Sequence, residues 1–555
     1  MSAHPTDSAA YAGEAYPIDA KQLDAEKHLG EKHAAAITED AVPRISPLLL
    51  NLFHIGAVVA IFASSLQAVV PSSFFVQAVE PWGVEVSSLW MLAAYLIGYV
   101  ALVLPAARIG EVFGRLVTFW FGIVLFVVFS GVAGHAKSSL HFAILRAFQG
   151  AGAGIVSSAA VQVIAALNSE RSRALRVGSL AAAQMFGIGA AHLIGGSLAI
   201  HAHFRWGIYM AAPLAAAPAL LCSPALAKAD QLLRTDESFW SRLRHYDFVG
   251  TLFLLGAATM LTTGLVFGGN EHRWSSATTL CLIIFGVVSI VLFLAWEAFG
   301  AGRPIFNTLW LRERNLQISV VGVLLIAMTI FAHCAYVPIL YITVRSEPTN
   351  EAGRMTAPYW GASTVAAVLT GAVLHLRPRL ARPLVWVGLP IAAVFWGLYY
   401  IIEEKPASLA RERAFYVLAG AGTGLAYPAI IYLAQVSVPR NESGPAAAVA
   451  HFLSVVGGML GLILYQACLK SRLITTLTPI FAQSTFLSTF DIRTMDIAGL
   501  EMSGETMLHY EPKLAVLIGQ EMTNCLHTTF ILSVPFLGAA LLGSLLYKHH
   551  HHHAN

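Results

Sequence analysis

Charge is scarce in this sequence. Only 12% of its 555 residues are Asp, Glu, Lys or Arg, while 57% are hydrophobic, against roughly a quarter charged in an ordinary soluble domain. A chain of this composition cannot cover a soluble surface with charge, which excludes a soluble multidomain enzyme. About 12 of the charged residues lie in the first 44 positions, leaving long stretches almost uncharged. The net charge of +3 is too small to argue for a polyanion partner, which excludes a nucleic-acid binder. Cysteine is scarce as well: Cys222, Cys281, Cys334, Cys468 and Cys525 sit in or beside apolar runs with no CxxC pair, so buried free thiols are expected and no structural disulfide. No glycine-lysine phosphate loop is present, which argues against ATP as an energy source. A basic start followed by a short apolar run and a small-residue cleavage site is also missing, so the first apolar run is expected to act as an uncleaved anchor.

What is present is a series of long apolar runs. A helix crossing a bilayer needs about 20 mostly apolar residues without strand-like alternation. Fourteen runs meet that requirement, near 46–70, 88–107, 116–135, 140–167, 175–200, 206–226, 248–268, 277–299, 317–344, 355–376, 383–402, 412–436, 444–468 and 526–547. The fold class expected is an all-α polytopic membrane protein. An even number of spans puts both ends on one side. Placing the N-terminus in the cytoplasm gives the inner loops most of the arginines, among them Arg171, Arg173 and Arg176, then Arg377, Arg379 and Arg382, as the positive-inside bias requires. On that topology the sequon at Asn441 is cytoplasmic and unglycosylated.

The first 45 residues are expected to form a polar, disordered cytoplasmic tail, the spans fill 46–547 with a long outer loop at 469–525, and a His-rich tail closes the chain at 548–555. The terminal histidines, His549–His553, read as a native low-complexity tract or an added tag remnant, with a metal site the least favoured of the three readings.

Small residues cluster inside the spans: Gly150, Gly152 and Gly154 in the fourth, Gly187, Gly189, Gly195 and Gly196 in the fifth, Gly457, Gly458 and Gly461 in the thirteenth. Helices in lipid associate through close backbone approach, which small residues permit. Together with three further stretches these glycines carry a resemblance. Residues 107–115 run Ala-Arg-Ile-Gly-Glu-Val-Phe-Gly-Arg, residues 146–154 run Arg-Ala-Phe-Gln-Gly-Ala-Gly-Ala-Gly, and residues 191–196 run Ala-His-Leu-Ile-Gly-Gly; the fourth stretch reaches from Gly420 through Gln435 and Pro439 to Gly458. Over residues 46–547 the chain resembles the major facilitator superfamily, in particular its fourteen-span fungal drug:proton antiporters.

The resemblance implies a six-helix bundle over 46–227, a cytoplasmic loop with two inserted helices over 228–315, and a second six-helix bundle over 316–547, with a midplane substrate site between the bundles. It implies a cytoplasmic gate motif at Arg108, Gly110, Glu111, Gly114 and Arg115, whose acidic residue would face a helix of the other bundle and pair with arginine. It implies an antiporter glycine motif at Gly187, Gly189, Gly195 and Gly196, and a proton-linked arginine at Arg146 beside Gln149. Where such antiporters often carry an aspartate in the first span, this chain has Gln67, which cannot take up a proton. No span has a carboxylate at its centre, Asp247 and Glu297 lying near span ends. The titratable candidates left on the substrate and proton pathway are His54, His192, His333 and His451. Aromatic residues such as Phe53, Phe62, Trp90, Tyr95, Phe148, Phe186, Phe331, Tyr336, Tyr341, Tyr427 and Tyr432 can either line a cavity for a bulky apolar substrate or face lipid.

The function expected is a secondary active transporter that exports drugs, toxins or amphipathic secondary metabolites, glycolipids among them, by proton antiport. The alternative is a proton-coupled importer of the siderophore-iron kind, for which Glu501, Glu505, Tyr510 and Glu511 of the long outer loop could meet the ligand. A non-transporting sensor would need a large signalling tail, for which the 45-residue N-terminal stretch offers little support. The partners implied are an amphipathic small molecule, protons and the lipid bilayer, with no nucleic acid, cofactor or metal. The chain is expected to work as a monomer in the plasma membrane, both termini cytoplasmic.

Overall fold

The computed structural model describes residues 45–548, apart from 74–87, 202, 234–237, 269–271, 303, 307–309, 311, 345–346, 402–408 and 482–511. The N-terminal tail, the residues Glu501, Glu505, Tyr510 and Glu511, and the terminal histidines lie outside the described residues.

The described chain is helical. The first bundle comprises α1 (Pro47–Val69), α2 (Ser88–Val103), α3 (Pro105–Phe113), α4 (Arg115–Ala133), α5 (Ser139–Leu167), α6 (Glu170–His201), α7 (Arg205–Tyr209) and α8 (Ala211–Leu233). An insert follows: short α9 (Phe239–Arg244), then α10 (Phe248–Gly256), continued by a π turn at Ala257–Leu261 into α11 (Thr262–Phe267), then α12 (Ala277–Phe299). The second bundle comprises α13 (Arg314–Ile339), α14 (Thr349–Leu376), α15 (Ala381–Ile401), α16 (Leu409–Val436), α17 (Ser443–Phe481), α18 (Pro512–Phe530) and α19 (Ser533–Ser544).

Among the described residues thirteen helices are long and apolar enough to cross a membrane, and the pair Trp90–Val103 and Pro105–Phe113, bent by 49°, makes a fourteenth. The bend falls at Pro105, which has no N–H to continue the ladder. Helix starts follow capping chemistry: the Ser46 side chain accepts from the Leu49 N–H with Pro47 in the first turn, and Ser138 and Ser276 cap α5 and α12 in the same way.

One stretch expected to be loop is helix. The anticipated connection begins at Leu469, yet α17 continues to Phe481 and α18 starts at Pro512. Leu469, Leu473 and Leu477, spaced four apart, are buried, while Arg472 and Thr476 interrupt the apolar run. This segment is an amphipathic helix with one packed face, which a search for continuous hydrophobicity passes over.

Burial sorts the spans. In α5, 83% of an apolar 18-residue stretch is buried and in α6 78%, whereas in α12 only 17% is, with Ile284, Phe285, Val288 and Val291 exposed. The inserted helix α12 is therefore peripheral, and α5 and α6 are central. Within the first bundle α2 packs on α5, and α1 on α6 and α8; within the second α14 and α15 pack on α16, and α13 on α17. The bundles meet through α6 against α14 and α5 against α17.

These contacts depend on missing side chains. A Cβ on Gly98 would stand 1.7 Å from the Ala147 carbonyl oxygen, and one on Gly150 1.9 Å from that of Tyr95, so α2 and α5 touch backbone to backbone. We call the end bearing α3 and the α5–α6 turn the gate end, and the opposite one the far end.

Candidate functional site

Arg146 lies wholly buried in α5, where an unpaired cation in a membrane span is costly. Its partners are oxygens of uncharged groups. Nη2 donates to the carbonyl oxygens of Gln67 (2.8 Å) and Ala68 (3.1 Å), Nη1 to Gln149 Oε1 (2.7 Å), and Nε reaches Met91 O at 3.5 Å. The guanidinium stands over the Tyr95 ring, 4.4 Å from its centroid. Gln149 Nε2 donates to Gln67 Oε1 (3.2 Å), and Gln67 Nε2 to Gly207 O (2.9 Å). Gln67, Arg146 and Gln149, picked out from sequence, are thus one network inside the first bundle.

The last carbonyls of α1 are the reason a cation is stable there. Four residues after Gln67 stands Pro71, which has no N–H to close the helical turn, and the Val70 N–H goes to Leu66 O. Gln67 O is left without a helical donor, and Arg146 supplies one. The guanidinium also sits at the negative end of the α1 dipole. Helix-end carbonyls therefore face Arg146 from the end of the first span, without the proton-accepting capacity of a carboxylate; among the described residues no Asp or Glu pairs with Arg146.

The four histidines separate into two kinds. His54 Nε2 meets Ser179 Oγ at 2.9 Å within the first bundle. His333 is buried in the second bundle, stacked on Trp396 with centroids 3.3 Å apart, its Nε2 2.9 Å from Ser533 Oγ. The other two bridge the bundles. His451 of α17 meets the Tyr99 hydroxyl of α2 at 2.6 Å. His192 of α6 faces two carbonyl oxygens, Ile188 O at 2.9 Å and Cys334 O of α13 at 2.8 Å. A neutral imidazole donates one such bond; only the imidazolium donates both.

His451 and Gln184 line two small voids between the bundles, of about 20 and 30 Å³. Ser64, Tyr95, Tyr99 and Phe331 face one, Tyr427 and Gln435 the other, and neither lining contains Asp, Glu, Lys or Arg. The Tyr427 hydroxyl donates to Gln184 Oε1 across the interface (3.1 Å) and meets Ser454 Oγ at 2.7 Å. A small-molecule site needs about 300 Å³ or more, so the bundles are closed around this centre. Of the aromatic candidates, Tyr95, Phe331 and Tyr427 line it, whereas Phe148 and Phe186 are exposed on the outer surface. Gln184 and Tyr99 were not anticipated; a polar side chain in the glycine-rich fifth span was the available signal for Gln184.

The glycine motif serves both partners of α6. Cβ atoms at Gly187 and Gly195 would meet Phe62 O and the Ser73 side chain of the first bundle, while at Gly189 and Gly196 they would meet Trp360 and Thr349 O of the second.

The gate motif differs from what the resemblance implies. The Glu111 carboxylate pairs with Arg108 of its own helix (2.9 Å), and it is Arg108 that reaches away, donating to Pro304 O (2.6 Å) in the connection to the second bundle. Arg115 pairs with Asp230 of α8 (3.8 Å). Asp230, absent from the motif, accepts from the backbone N–H groups of Arg115 (2.8 Å) and Leu116 (3.0 Å) and so caps α4. Gly114 sits between α3 and α4 with φ +100°, and a Cβ there would be 3.2 Å from Asp230 Oδ2. Gly110 gives its carbonyl to the Gly114 N–H (3.1 Å). Asp230→Ala is expected to lower stability by about 1–2 kcal/mol, as loss of a helix N-cap does. Glu111→Ala, removing an exposed pair within one helix, is expected to cost below about 0.5 kcal/mol. Thermal unfolding of the purified protein ranks the two, and an equal cost would contradict the assignment of Asp230 as the cap.

Around this motif lies a cavity of about 470 Å³, lined by Arg108, Glu111, Arg115, Asp230, Arg242 and Asp247 among others.

Residues 52–332 match the family model described as Major Facilitator Superfamily. Among curated proteins, the chain is 24% identical over 465 residues to the MFS-type efflux pump LUC4 of a Fusarium species, covering 82% of this chain and 79% of that one. It is 23% identical over 451 residues to the efflux pump FUS6 of Gibberella moniliformis, covering 79% and 77%. Among solved structures, a bacterial homologue of the human lysosomal transporter Spinster, inward-facing and unoccupied, superposes with a TM-score of 0.57 at 13% identity, covering 90% of this chain and 98% of that one.

Proposed function

Because the chain belongs to the major facilitator superfamily, and is thus a multi-pass membrane transporter of small molecules, we propose that it exports amphipathic, largely uncharged compounds by proton antiport. The observation that carries the substrate class is the centre between the bundles, where Tyr95, Tyr99, Gln184, Phe331, Tyr427 and His451 offer aromatic faces and hydrogen bonds but no fixed charge. A strongly charged substrate would enter such a site without a counter-charge, at a large desolvation cost. Efflux is the activity in the names of the fungal relatives above, and it supports the outward direction. Transport then alternates by rocking one bundle against the other, with the termini and the gate motif in the cytoplasm and the protein in the plasma membrane.

Proton coupling in this reading falls on the histidines that span the interface. Opening the bundles separates His192 from Cys334 O and His451 from Tyr99, so protonation of either ring biases the closed arrangement relative to the open one. His54 and His333 stay within one bundle and move with it.

The test is flux in proteoliposomes carrying the full chain, with a panel of amphipathic dyes and an imposed pH gradient. Dye movement against its own gradient and towards the acidic side is expected. Flux that ignores the pH gradient would overturn antiport, and absence of flux for every neutral dye, with flux of an organic ion, would overturn the substrate class. His451→Ala and Tyr99→Phe each break one cross-bundle hydrogen bond worth about 0.6–2 kcal/mol in a membrane protein. Each is therefore expected to change flux by about threefold to thirtyfold, at tenfold per ~1.4 kcal/mol.

A further inference from the structure

The inserted helices hold a carboxyl pair that the reading above leaves without a role. Asp247 caps the start of α10 and Glu297 lies near the end of α12; they are 8% and 4% exposed. Both donors to Asp247 meet a single oxygen: the Gly250 N–H (2.8 Å) and Trp296 Nε1 (2.7 Å) bond to Oδ1. Asp247 Oδ2 is buried and has no donor. Glu297 accepts from the Ile305 N–H at Oε1 (3.2 Å) and the Phe306 N–H at Oε2 (3.1 Å). Gly250 brings the two acids together: the point where its Cβ would stand is 2.0 Å from Asp247 Oδ2 and 3.0 Å from Glu297 Oε1. No cation is paired with either acid among the described residues.

We propose that Asp247 and Glu297 together hold one exchangeable proton between Oδ2 and Oε1, making a proton-binding site in the helices inserted between the bundles. Two buried carboxylates with only neutral donors repel each other, and a single proton replaces that repulsion by an O–H···O bond and satisfies the bare oxygen. Loading takes one proton from water, leaving one neutral carboxyl and one carboxylate; release returns it and leaves two anions. Asp247 also lines the cavity at the gate motif, which gives water access. The charged and titratable groups that share this cavity are Arg108, Glu111, Arg115 and Asp230 from α3, α4 and α8, and Arg242, His245 and Tyr246 from α9 and the turn after it. The elements packed on α10 and α12, namely α2, the π turn and α11, carry no charged residue.

Release of the proton is felt at the gate. Glu297 anchors the backbone of Ile305 and Phe306, next to the Pro304 carbonyl that Arg108 holds. The site's existence is independent of the transport reading; only its use in coupling rests on that reading.

The experiment is thermal unfolding of the full-length protein in detergent between about pH 5 and about pH 9, compared with Asp247→Asn and Glu297→Gln. The folded protein keeps a proton that ordinary unfolded carboxyls have lost by about pH 5. Its stability is therefore highest at the acidic end and falls as the pH rises through release of the shared proton. Asp247→Asn puts its amide N–H at the Oδ2 position and keeps an N–H···O bond to Glu297 without the second charge, so it is expected to flatten the profile and to exceed the wild-type midpoint at alkaline pH. Glu297→Gln is also expected to flatten the profile, at a lower midpoint, because an amide nitrogen at the Oε1 position cannot accept the Ile305 N–H. A wild-type slope in both variants would overturn the proposal, since a purely structural cap would not remove the pH dependence. If neither variant folds, infrared difference spectra of the wild type decide, and no loss of protonated-carboxyl absorption between about pH 6 and about pH 9 overturns it. Neither measurement uses a substrate, so a failed flux assay and a failed proton site remain separate results.

Discussion

Arg146→Leu is expected to abolish transport and to destabilise the first bundle. Removing the guanidinium bares Gln67 O, whose turn cannot be closed because Pro71 has no N–H. It also removes the donors to Ala68 O and Gln149 Oε1. A buried polar atom deprived of its partner costs about 1–3 kcal/mol, so the loss over Gln67 O and Ala68 O is several kcal/mol. Part of this is offset because a cation no longer has to be kept in a membrane span. Arg146→Lys separates charge from geometry: an ammonium is a point donor and cannot reproduce the fork that holds the end of α1, the start of α2 and α5 together. The Lys variant is expected to fold with a modestly lower midpoint and to transport about tenfold more slowly, the loss of one charge-assisted hydrogen bond of ~1.5 kcal/mol or more. Flux in proteoliposomes and unfolding in detergent give the two readouts. A Leu variant with wild-type flux and midpoint would show that neither the charge nor its bonds matter.

That network shows what the sequence could and could not reveal. Arg146 and Gln149 were visible through the motif at residues 146–154 that carries the resemblance, and Gln67 because it stands where related antiporters carry an acid. The way the chain manages without that acid was hidden, since it depends on helix-end carbonyls and on a proline at the far end of another span. The spans themselves were legible because continuous hydrophobicity is a local property. The extension of α17 was not, because one packed face at fourfold spacing resembles a polar loop when only mean apolarity is read.

The histidines make the same distinction. In sequence His192 alone stands apart, at the proline position of the glycine motif, while His54, His333 and His451 are imidazoles in apolar helices; only packing shows that His192 and His451 bridge the bundles and the other two do not. Asp247 and Glu297 were set aside as span-end charges and Asp230 went unread, because Asp230 meets Arg115, and Asp247 meets Trp296, only through contacts between distant parts of the chain. Glu111 went the other way, its motif spacing implying a cross-bundle role that Arg108 takes instead.

Opposite effects are expected from Gly178→Val and Gly196→Val, although both lie on α6 and both face α14. A Cβ at Gly178 would stand 2.5 Å from Gly371 Cα and 2.8 Å from Ala367 O at the gate end, where His375 Nδ1 also lies 3.0 Å from Arg171 O. A Cβ at Gly196 would stand 2.7 Å from Thr349 O and 3.0 Å from Asn350 Cα at the far end. In both cases the obstacle is backbone, which cannot step aside as a side chain does. Overpacking of this kind costs about 1–3 kcal/mol, and the closed arrangement at that end bears the cost, while the arrangement open at that end does not. Because a rocking transporter closes one end as it opens the other, Gly178→Val favours opening at the gate end and Gly196→Val favours opening at the far end. At tenfold per ~1.4 kcal/mol the populations shift by roughly fivefold to a hundredfold in opposite senses. Spin labels at Arg171 and His375 report one end, and labels at Ser197 and Glu351 the other. Distances that lengthen at the substituted end alone, with flux lost in both variants, are expected. If both substitutions lengthen the same pair, or neither does, α6 and α14 are not the surfaces on which the bundles rock, and the small residues along them serve static packing.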